Sequence, residues 1–386
     1  MMYEWLIIGG GVHATTIALQ LRYLGLPTSQ LGIIDPHDTL MDNFKMQTTR
    51  LSMPYLRSPL VHHCHPEPFD LKKFAKCHQY AQAMIGQYQR PRLDMFFDHT
   101  DNYIQQYDLA ACHIQQKAID IERTNDYWQV VLDDERILTA RHVVLAMGTH
   151  NTPLTPDMFK GQPDVQHIHQ SDFDTQLTAS HIVGSGISAA HLVIKLLAEQ
   201  REKPIHLWIK KPLEVFDFDA DPGWLGPKNM RGFQCEKDLT QRAEINRSER
   251  HKGSMPKEMY MKLMHAENEG RLIIHQTAIE AVADHYIIAG KERIHYDGIY
   301  LATGFEYDLM QQPLIQTIVN TYRAKLTAGF PVTTPSLEWL PNLYVSGMLA
   351  DLELGPFARN IMGGRMAAQR IGEVYVQSQD AVQQAI

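Results

Sequence analysis

A chain of 386 residues, 44% of them hydrophobic, is long enough for two domains and able to bury real cores. Its net charge of −8 makes a polyanion such as nucleic acid a poor partner, and no apolar run approaches a membrane span. Cys64, Cys77, Cys112 and Cys235 lie far apart with no CxxC pair, which argues against a disulfide framework, a zinc site or a dithiol reductase, and points to a soluble cytoplasmic protein.

The first apolar run, Trp5-Leu6-Ile7-Ile8, predicts a strand that starts too early to leave room for a signal peptide. It enters Gly9-Gly10-Gly11-Val12-His13-Ala14, followed by Ala14, Ile17, Ala18, Leu21 and Leu24 at helical spacing. A second strand, Leu31-Gly32-Ile33-Ile34, ends in Asp35. Here Gly9 permits a tight turn, Gly11 lets backbone approach a pyrophosphate, and Ala14 lets the helix pack close on the strand. Phosphate would sit on the open N–H groups of the helix start, and Asp35 would accept hydrogen bonds from a ribose diol. That combination suits FAD. Further on, His62, His63 and His65 flank Cys64 in a proline-rich loop, where neighbouring histidines seldom converge on one ion, so no metal is expected. Strand-like runs at 130–132 and 137–138 then lead to Val143-Val144-Leu145-Ala146-Met147-Gly148.

The same device recurs. Ile182-Val183 enters Gly184-Ser185-Gly186-Ile187-Ser188-Ala189, a helix carries Leu192, Val193, Leu196 and Leu197, and the strand Ile205–Ile209 ends in Lys210-Lys211. Asp35 and Lys210 both fall 26 residues after the first glycine of their unit, which reads as matching register. A lysine at that place pairs with a 2′-phosphate, so the second unit is expected to take NADPH through Gly184, Gly186, Ala189, Lys210 and Lys211. Runs at 272–274 and 286–288 lead to Ile299-Tyr300-Leu301-Ala302-Thr303-Gly304, repeating the antiparallel insertion and the strand ending in Ala-x-Gly. Gly148 and Gly304 would pass close to bound nucleotide and carry the chain between domains.

Between these landmarks, residues 212–233 hold Phe216, Phe218, Trp224 and Phe233 without strand or helix period, a pattern read as a lid or substrate loop, or else as a hydrophobic plug between domains. A stretch from Lys228 to Lys257 then sets eight basic residues against four acidic ones, either to hold anionic groups or as a solvated face. Finally Leu343–Gly347 predicts a strand, and Leu354-Gly355-Pro356 predicts the start of a helix through Ile361, Met362, Met366 and Ile371. Gly347 and Gly355 are the cofactor candidates there, with the helix start facing the flavin's pyrimidine edge.

Two such units with opposite charges resemble the two-dinucleotide-binding-domain flavoproteins. The chain looks most similar to the class B flavin monooxygenases, in particular the lysine/ornithine N-hydroxylase-like branch. Met46-Gln47-Thr48 through Leu56-Arg57-Ser58-Pro59 to Pro68-Phe69-Asp70-Leu71 is similar to the segment that runs beside the flavin in that branch. Phe159-Lys160-Gly161 with His167, His169 and Phe173 resembles the class B fingerprint, although the histidine comes two or four residues late. The strand ending Gly347-Met348 lacks the acid that many relatives place on the ribityl chain, with Asp351 nearby, and the His-Gly-Leu segment of the N-hydroxylases is missing.

The expected architecture is therefore α/β, with two Rossmann-like dinucleotide-binding domains: a glutathione-reductase-like FAD domain over 1–155 and 306–386, and an inserted NADPH domain over 156–305. The resemblance implies an FAD-dependent, NADPH-using monooxygenase that oxygenates a small nucleophilic substrate with O2 through a flavin C4a-hydroperoxide. His169, with His167 behind it, would help close the site, and Arg57 would meet a substrate or cofactor anion. An NADPH-dependent flavin reductase and a non-enzymatic redox sensor are the alternative readings.

Overall fold

Short apolar runs, each bounded by glycine or a turn, form strands buried on both faces and assemble into two sheets. The computed structural model describes residues 2–148, 152–174, 178–199 and 203–384. In the first sheet Met2–Ile8 lies between Leu31–Asp35 and Ile137–Leu145, parallel to both, with Ile8 opposite Ile34 and Leu145. His113–Gln115 extends one side, and Leu343–Val345 joins Ile137–Leu145 on the other. The second sheet is wholly parallel, in the order Leu272–Gln276, Ile205–Ile209, His181–Val183, Ile299–Leu301, Val165–His167. Each sheet carries an antiparallel excursion before its closing strand: Ala118–Thr124 with Tyr127–Leu132 in the first, and the three strands Ala281–Ala283, Tyr286–Ala289 and Glu292–His295 beside the second. The pseudo-repeat read from sequence is thus a repeat of topology.

Helix Val12–Tyr23 buries Ala14, Ile17, Ala18 and Leu21 in the first core, where Trp5, Trp128 and Val143 are also fully buried. In the second unit, Ala189, Val193 and Leu196 of helix Ile187–Glu199 meet Leu207 and Leu263. The opposite face of that sheet packs Trp208 and Ile299 against Phe159 and Tyr296. The chain leaves the first sheet at Leu145, enters the second at Val165 and returns at Glu338, whose edge strand Glu338–Leu340 pairs antiparallel with Leu343–Val345. Its two crossings touch: Leu154 N–H donates to the Gly304 carbonyl at 2.9 Å, and Glu306 N–H to the Thr152 carbonyl at 2.9 Å.

Two expectations about local structure need correcting. Leu354-Gly355-Pro356 does not open a helix; it ends a short one, Asp351–Leu354, because Gly355 adopts φ +75°, and the long C-terminal helix begins only at Ile361. The aromatic stretch is not an irregular lid. It contains the helix Pro227–Cys235, with proline at the first turn, and its Phe218, Trp224 and Phe233 are buried with Met230 and Phe357. Burial of several aromatics at ~2 kcal/mol each makes this a plug between the insertion and the C-terminal part. Phe216, 40% exposed, is the exception, and it stacks on His251 at 3.6 Å.

Burial also leaves many histidines neutral. Desolvation lowers His62, His99, His142, His167 and His191 to about 4, His181 to about 3 and His63 to about 2. Since the unfolded chain protonates these rings near pH 6.5, it binds more protons than the folded chain below that pH, and stability is lost as pH falls from 6.5 towards 4. Each such ring accounts for on the order of 2 kcal/mol by pH 5. Urea unfolding followed at pH 7 and pH 5 should therefore show the midpoint falling steeply; an unchanged midpoint would contradict neutral burial of these rings.

Candidate functional site

In the first unit Gly9, at φ +113°, donates its N–H to the Ile34 carbonyl at 2.8 Å, and a Cβ there would lie 2.4 Å from the Ala146 carbonyl oxygen. Only glycine fits. In the second, Gly184, at φ +146°, donates to the Trp208 carbonyl at 3.0 Å, and its Cβ would lie 2.4 Å from the Ala302 carbonyl oxygen. Ala146 N–H returns to Ile8 at 2.9 Å, as Ala302 N–H does to Val183 at 2.8 Å. The alanine of each Ala-x-Gly strand is therefore the wall against which the fingerprint glycine turns.

Beyond this wall the first cradle fits an anionic dinucleotide. Helix Val12–Tyr23 starts without a side-chain cap and without an acid in its first turn, so its leading N–H groups keep their affinity for phosphate. Among the described residues, a Cβ on Gly11 or Gly148 would meet nothing within 4 Å. Asp35 Oδ2 accepts from Gly10 N–H at 2.6 Å, and Oδ1 from the backbone and ring of His37 at 3.0 and 2.7 Å. A carboxylate oxygen has room for a further donor, so Asp35 remains able to take a ribose hydroxyl. Ala14 and Ala189, at 0% and 1% exposure, hold each helix close to its strand.

The second cradle opens into a cavity of about 200 Å³ lined by Gly184, Trp208, Lys210, Thr277, Phe159 and Thr303. Lys210 is exposed at its mouth and makes no ion pair among the described residues, whereas Lys211 is held by Glu214 at 2.8 Å and the Lys252 carbonyl at 3.1 Å. The sequence count misplaces the register by one. Ile8 stands opposite Ile34, and Val183 opposite Trp208, so Ile209 is the counterpart of Asp35 and Lys210 comes one step later. A 2′-phosphate projects beyond the hydroxyl it replaces, and a cation one residue further out suits it. Gly186 faces the α-carbon of Gly253 at a Cβ distance of 3.4 Å, and Gly304, at φ +87°, leaves open space at the crossing.

The two cradles are joined by a polar chain that sequence reading did not find. His13 Nε2 donates to the Asn360 carbonyl at 2.9 Å, which leaves Nδ1 to accept from Ser346 Oγ at 2.8 Å; desolvation lowers this ring to about 4 and keeps it neutral. Gly347, at φ +68°, sits over the same ring. Asn360 Nδ2 then donates to Asp219 Oδ2 at 2.6 Å, and Arg57 holds Asp219 Oδ1 at 2.5 Å. The Arg57 guanidinium also donates to the carbonyls of Phe216, Asp217 and Phe218 and to Ser254 Oγ. It is occupied as a clamp on the 216–219 loop.

Asp351 is fully buried and bound in a fork by Arg250, at 2.8 Å twice, and by Arg359 at 2.6 Å, so it is not free for a ribityl chain. Glu353 takes Arg242 at 3.0 Å and Arg370 at 3.1 Å. Two of the eight basic residues of the 228–257 stretch, Arg242 and Arg250, thus tie the insertion to the C-terminal part. Gly355 packs against Met230 of the plug. His169 stacks on Phe305 of the crossing strand at 4.8 Å and gives its N–H to His167 Nδ1 at 3.2 Å. Arg50 holds the same segment through the carbonyls of Ile168 and Gln170 at 2.6 and 3.0 Å and lies over Phe173. His63 and His65 belong to a packed loop whose carbonyls bind Arg365, and among the described residues no group of three or more His, Cys, Asp or Glu is placed to hold a metal ion.

The model of a family described as FAD-NAD(P)-binding matches residues 6–150, and that of the L-lysine 6-monooxygenase/L-ornithine 5-monooxygenase family matches residues 102–307. No curated protein matches the chain by sequence. Among solved structures, ornithine hydroxylase from Pseudomonas aeruginosa is similar with a TM-score of 0.76 at 16% identity, over 98% of this chain and 99% of that one. An ornithine N-hydroxylase from Kutzneria sp. 744, solved with reduced FAD, NADP+ and L-ornithine, gives 0.75 at 14%, over 98% and 100%. Bacillithiol disulfide reductase from Staphylococcus aureus gives 0.63 at 12%, over 98% and 99%. These likenesses show the fold: two dinucleotide-binding domains within one chain.

Because Lys210 makes no ion pair and stands at the cavity mouth, Lys210→Ala should raise the Michaelis constant for NADPH about tenfold and leave that for NADH nearly unchanged, the loss of one charge-assisted contact. Steady-state NADPH and NADH oxidation by both proteins measures this. A wild type that uses NADH as well as NADPH would refute the role of Lys210.

Proposed function

The chain belongs to the L-lysine 6-monooxygenase/L-ornithine 5-monooxygenase family, and we propose that it hydroxylates the nitrogen of a small aliphatic amine. It is an FAD-dependent, NADPH-using monooxygenase. The observation that supports the two-cofactor part of the reading is the pair of matching cradles, the first closed by Asp35 and the second carrying Lys210 one step further out, each built on a glycine turned against an alanine carbonyl; the amine rests on the family match. The proposed division gives FAD to 1–155 and 306–386 and NADPH to 156–305. Dependence on NADPH supports a cytoplasmic setting.

When bound, FAD supplies the electron transfer and oxygen activation that no side chain can. The protein's share is placement and exclusion of water. Asp35 would hold the adenosine ribose, and the uncapped start of helix Val12–Tyr23 the pyrophosphate. Neutral His13, fixed by Ser346 and Asn360, would present no charge beside the ribityl chain. Arg57 would keep the 216–219 loop seated, so that the plug of Phe218, Trp224 and Phe233 shuts solvent out on that side. His169, against Phe305, would act as a positioning residue at the crossing that sets how the NADPH domain meets the flavin.

The bacillithiol reductase likeness means the fold by itself does not separate oxygenation from reduction. Products do. With FAD, NADPH, air and ornithine, lysine or cadaverine in turn, NADPH consumption should be matched by a hydroxylamine product. His169→Ala should keep NADPH consumption within a few-fold while diverting it to hydrogen peroxide, since placement rather than electron transfer is lost. NADPH oxidation with no hydroxylamine from any of these amines would overturn the proposed hydroxylation of a small aliphatic amine.

A further inference from the structure

A second cavity, of about 240 Å³, lies apart from both cradles, where the 52–55 loop, Ile85 and Arg90 of the first domain meet helices Ile187–Glu199 and Lys257–Asn268 of the second. Helix Ile187–Glu199 has two faces. Ala190, Val193 and Leu197 are buried in the core of its own domain, whereas Ile187, His191, Ile194 and Ala198, spaced by three and four, line the cavity, with Ile187 and Ile194 also resting on the edge of that core. Met259, Pro54 and Tyr55 complete an apolar wall.

The polar groups there are not balanced. His191 is 6% exposed, yet among the described residues its Nε2 has no hydrogen-bond partner. Leaving such a nitrogen buried and unpaired costs roughly 1–3 kcal/mol, so it marks a place where a partner is expected. Arg90, 8% exposed, is ion-paired with Glu258. Lys195 gives its ammonium to the Arg50 carbonyl at 3.0 Å, and Lys262 stands on the rim with no ion pair among the described residues. Three cations against one carboxylate leave a positive surplus in a cleft walled by hydrocarbon, which draws an anion rather than a further cation. An inorganic anion would leave the wall of Ile187, Ile194 and Met259 without a counterpart.

We propose that this cavity binds a small aliphatic carboxylate, its carboxylate accepting from His191 Nε2 and meeting Lys262, and its chain lying on Ile187, Ile194 and Met259. No bond is made or broken there. Since its walls come from both domains, the ligand favours the arrangement in which they are closed on each other, and the folded protein is stabilised by mass action. The site stands independently of the reaction proposed above, because its readout is binding.

Hexanoate is a direct probe. Titrated calorimetrically into the FAD-loaded protein, it should bind saturably to one site, with hexan-1-ol and inorganic phosphate at least roughly tenfold weaker, because each lacks one half of the match. Lys262→Gln, a rim substitution that leaves the core intact, and His191→Leu should each weaken hexanoate about tenfold with unchanged FAD content, the loss of one contact to a charged acceptor. Absence of saturable hexanoate binding, phosphate binding as tightly as hexanoate, or binding that Lys262→Gln leaves untouched would each overturn the proposal.

Discussion

The contact on which the rest of the molecule depends is the approach of one glycine α-carbon to one alanine carbonyl, made twice. At Gly9 against Ala146, and at Gly184 against Ala302, a methyl group would sit 2.4 Å from the carbonyl oxygen. The absence of a side chain lets the chain turn from strand into helix while still in the plane of the sheet. That turn points the open N–H groups of the next helix at the cleft, and it brings the end of the neighbouring strand alongside. Asp35 can reach Gly10 N–H at 2.6 Å only because of it. The same wall also ends the closing strand of each unit, and there the chain crosses to the other domain.

What joins the domains is mostly ionic and polar, in contrast to their apolar cores. Arg57 gathers three consecutive carbonyls and Asp219; Arg250 and Arg359 converge on fully buried Asp351; Arg242 and Arg370 share Glu353. Such pairs are weak evidence of net stability, because desolvation offsets most of their attraction, but removing one partner leaves a buried charge that costs about 3–5 kcal/mol. Their value is directional. An apolar interface tolerates sliding, whereas a forked guanidinium on a carboxylate fixes distance and angle together. The plug of Phe218, Trp224, Phe233 and Phe357 then contributes the area, and the arginines fix where it sits.

The parts of this design that repeat at short range were legible in the sequence. Glycine spacing, strand-ending acid and lysine, and the two Ala-x-Gly strands each depend on residues near one another in the chain, so the fold followed, with each glycine turned against its alanine carbonyl. The parts made by distant residues were not. Arg57 meets Asp219 across 162 positions, and His13 meets Asn360 across 347, and nothing in either local sequence announces the partner. Counting residues also failed in one instructive place. It set Asp35 and Lys210 at the same step, while strand pairing sets Lys210 one step later, because the stretch from the first strand to its paired residue on the second is one residue shorter in the second unit. Gly355 was misread for a related reason: proline after glycine suits a helix start, but φ +75° at that glycine marks a helix end.

These constraints together bear on how the domains can move. The two crossing segments are hydrogen-bonded to each other at Leu154 and Glu306, and His169 and Arg50 fasten the segment that follows the first crossing to Phe305 and to the first domain. The segments meet at an isolated antiparallel bridge between Pro153 and Phe305, and separating them would break both backbone bonds at once. Arg57 and the Asp351 cluster hold the far side of the insertion, so a large opening would have to give up several buried charged contacts in one step. Small adjustments about the crossing remain open to the protein, and large excursions do not. A cofactor pair bound in the two cradles would meet at a geometry set by these contacts rather than by the substrate.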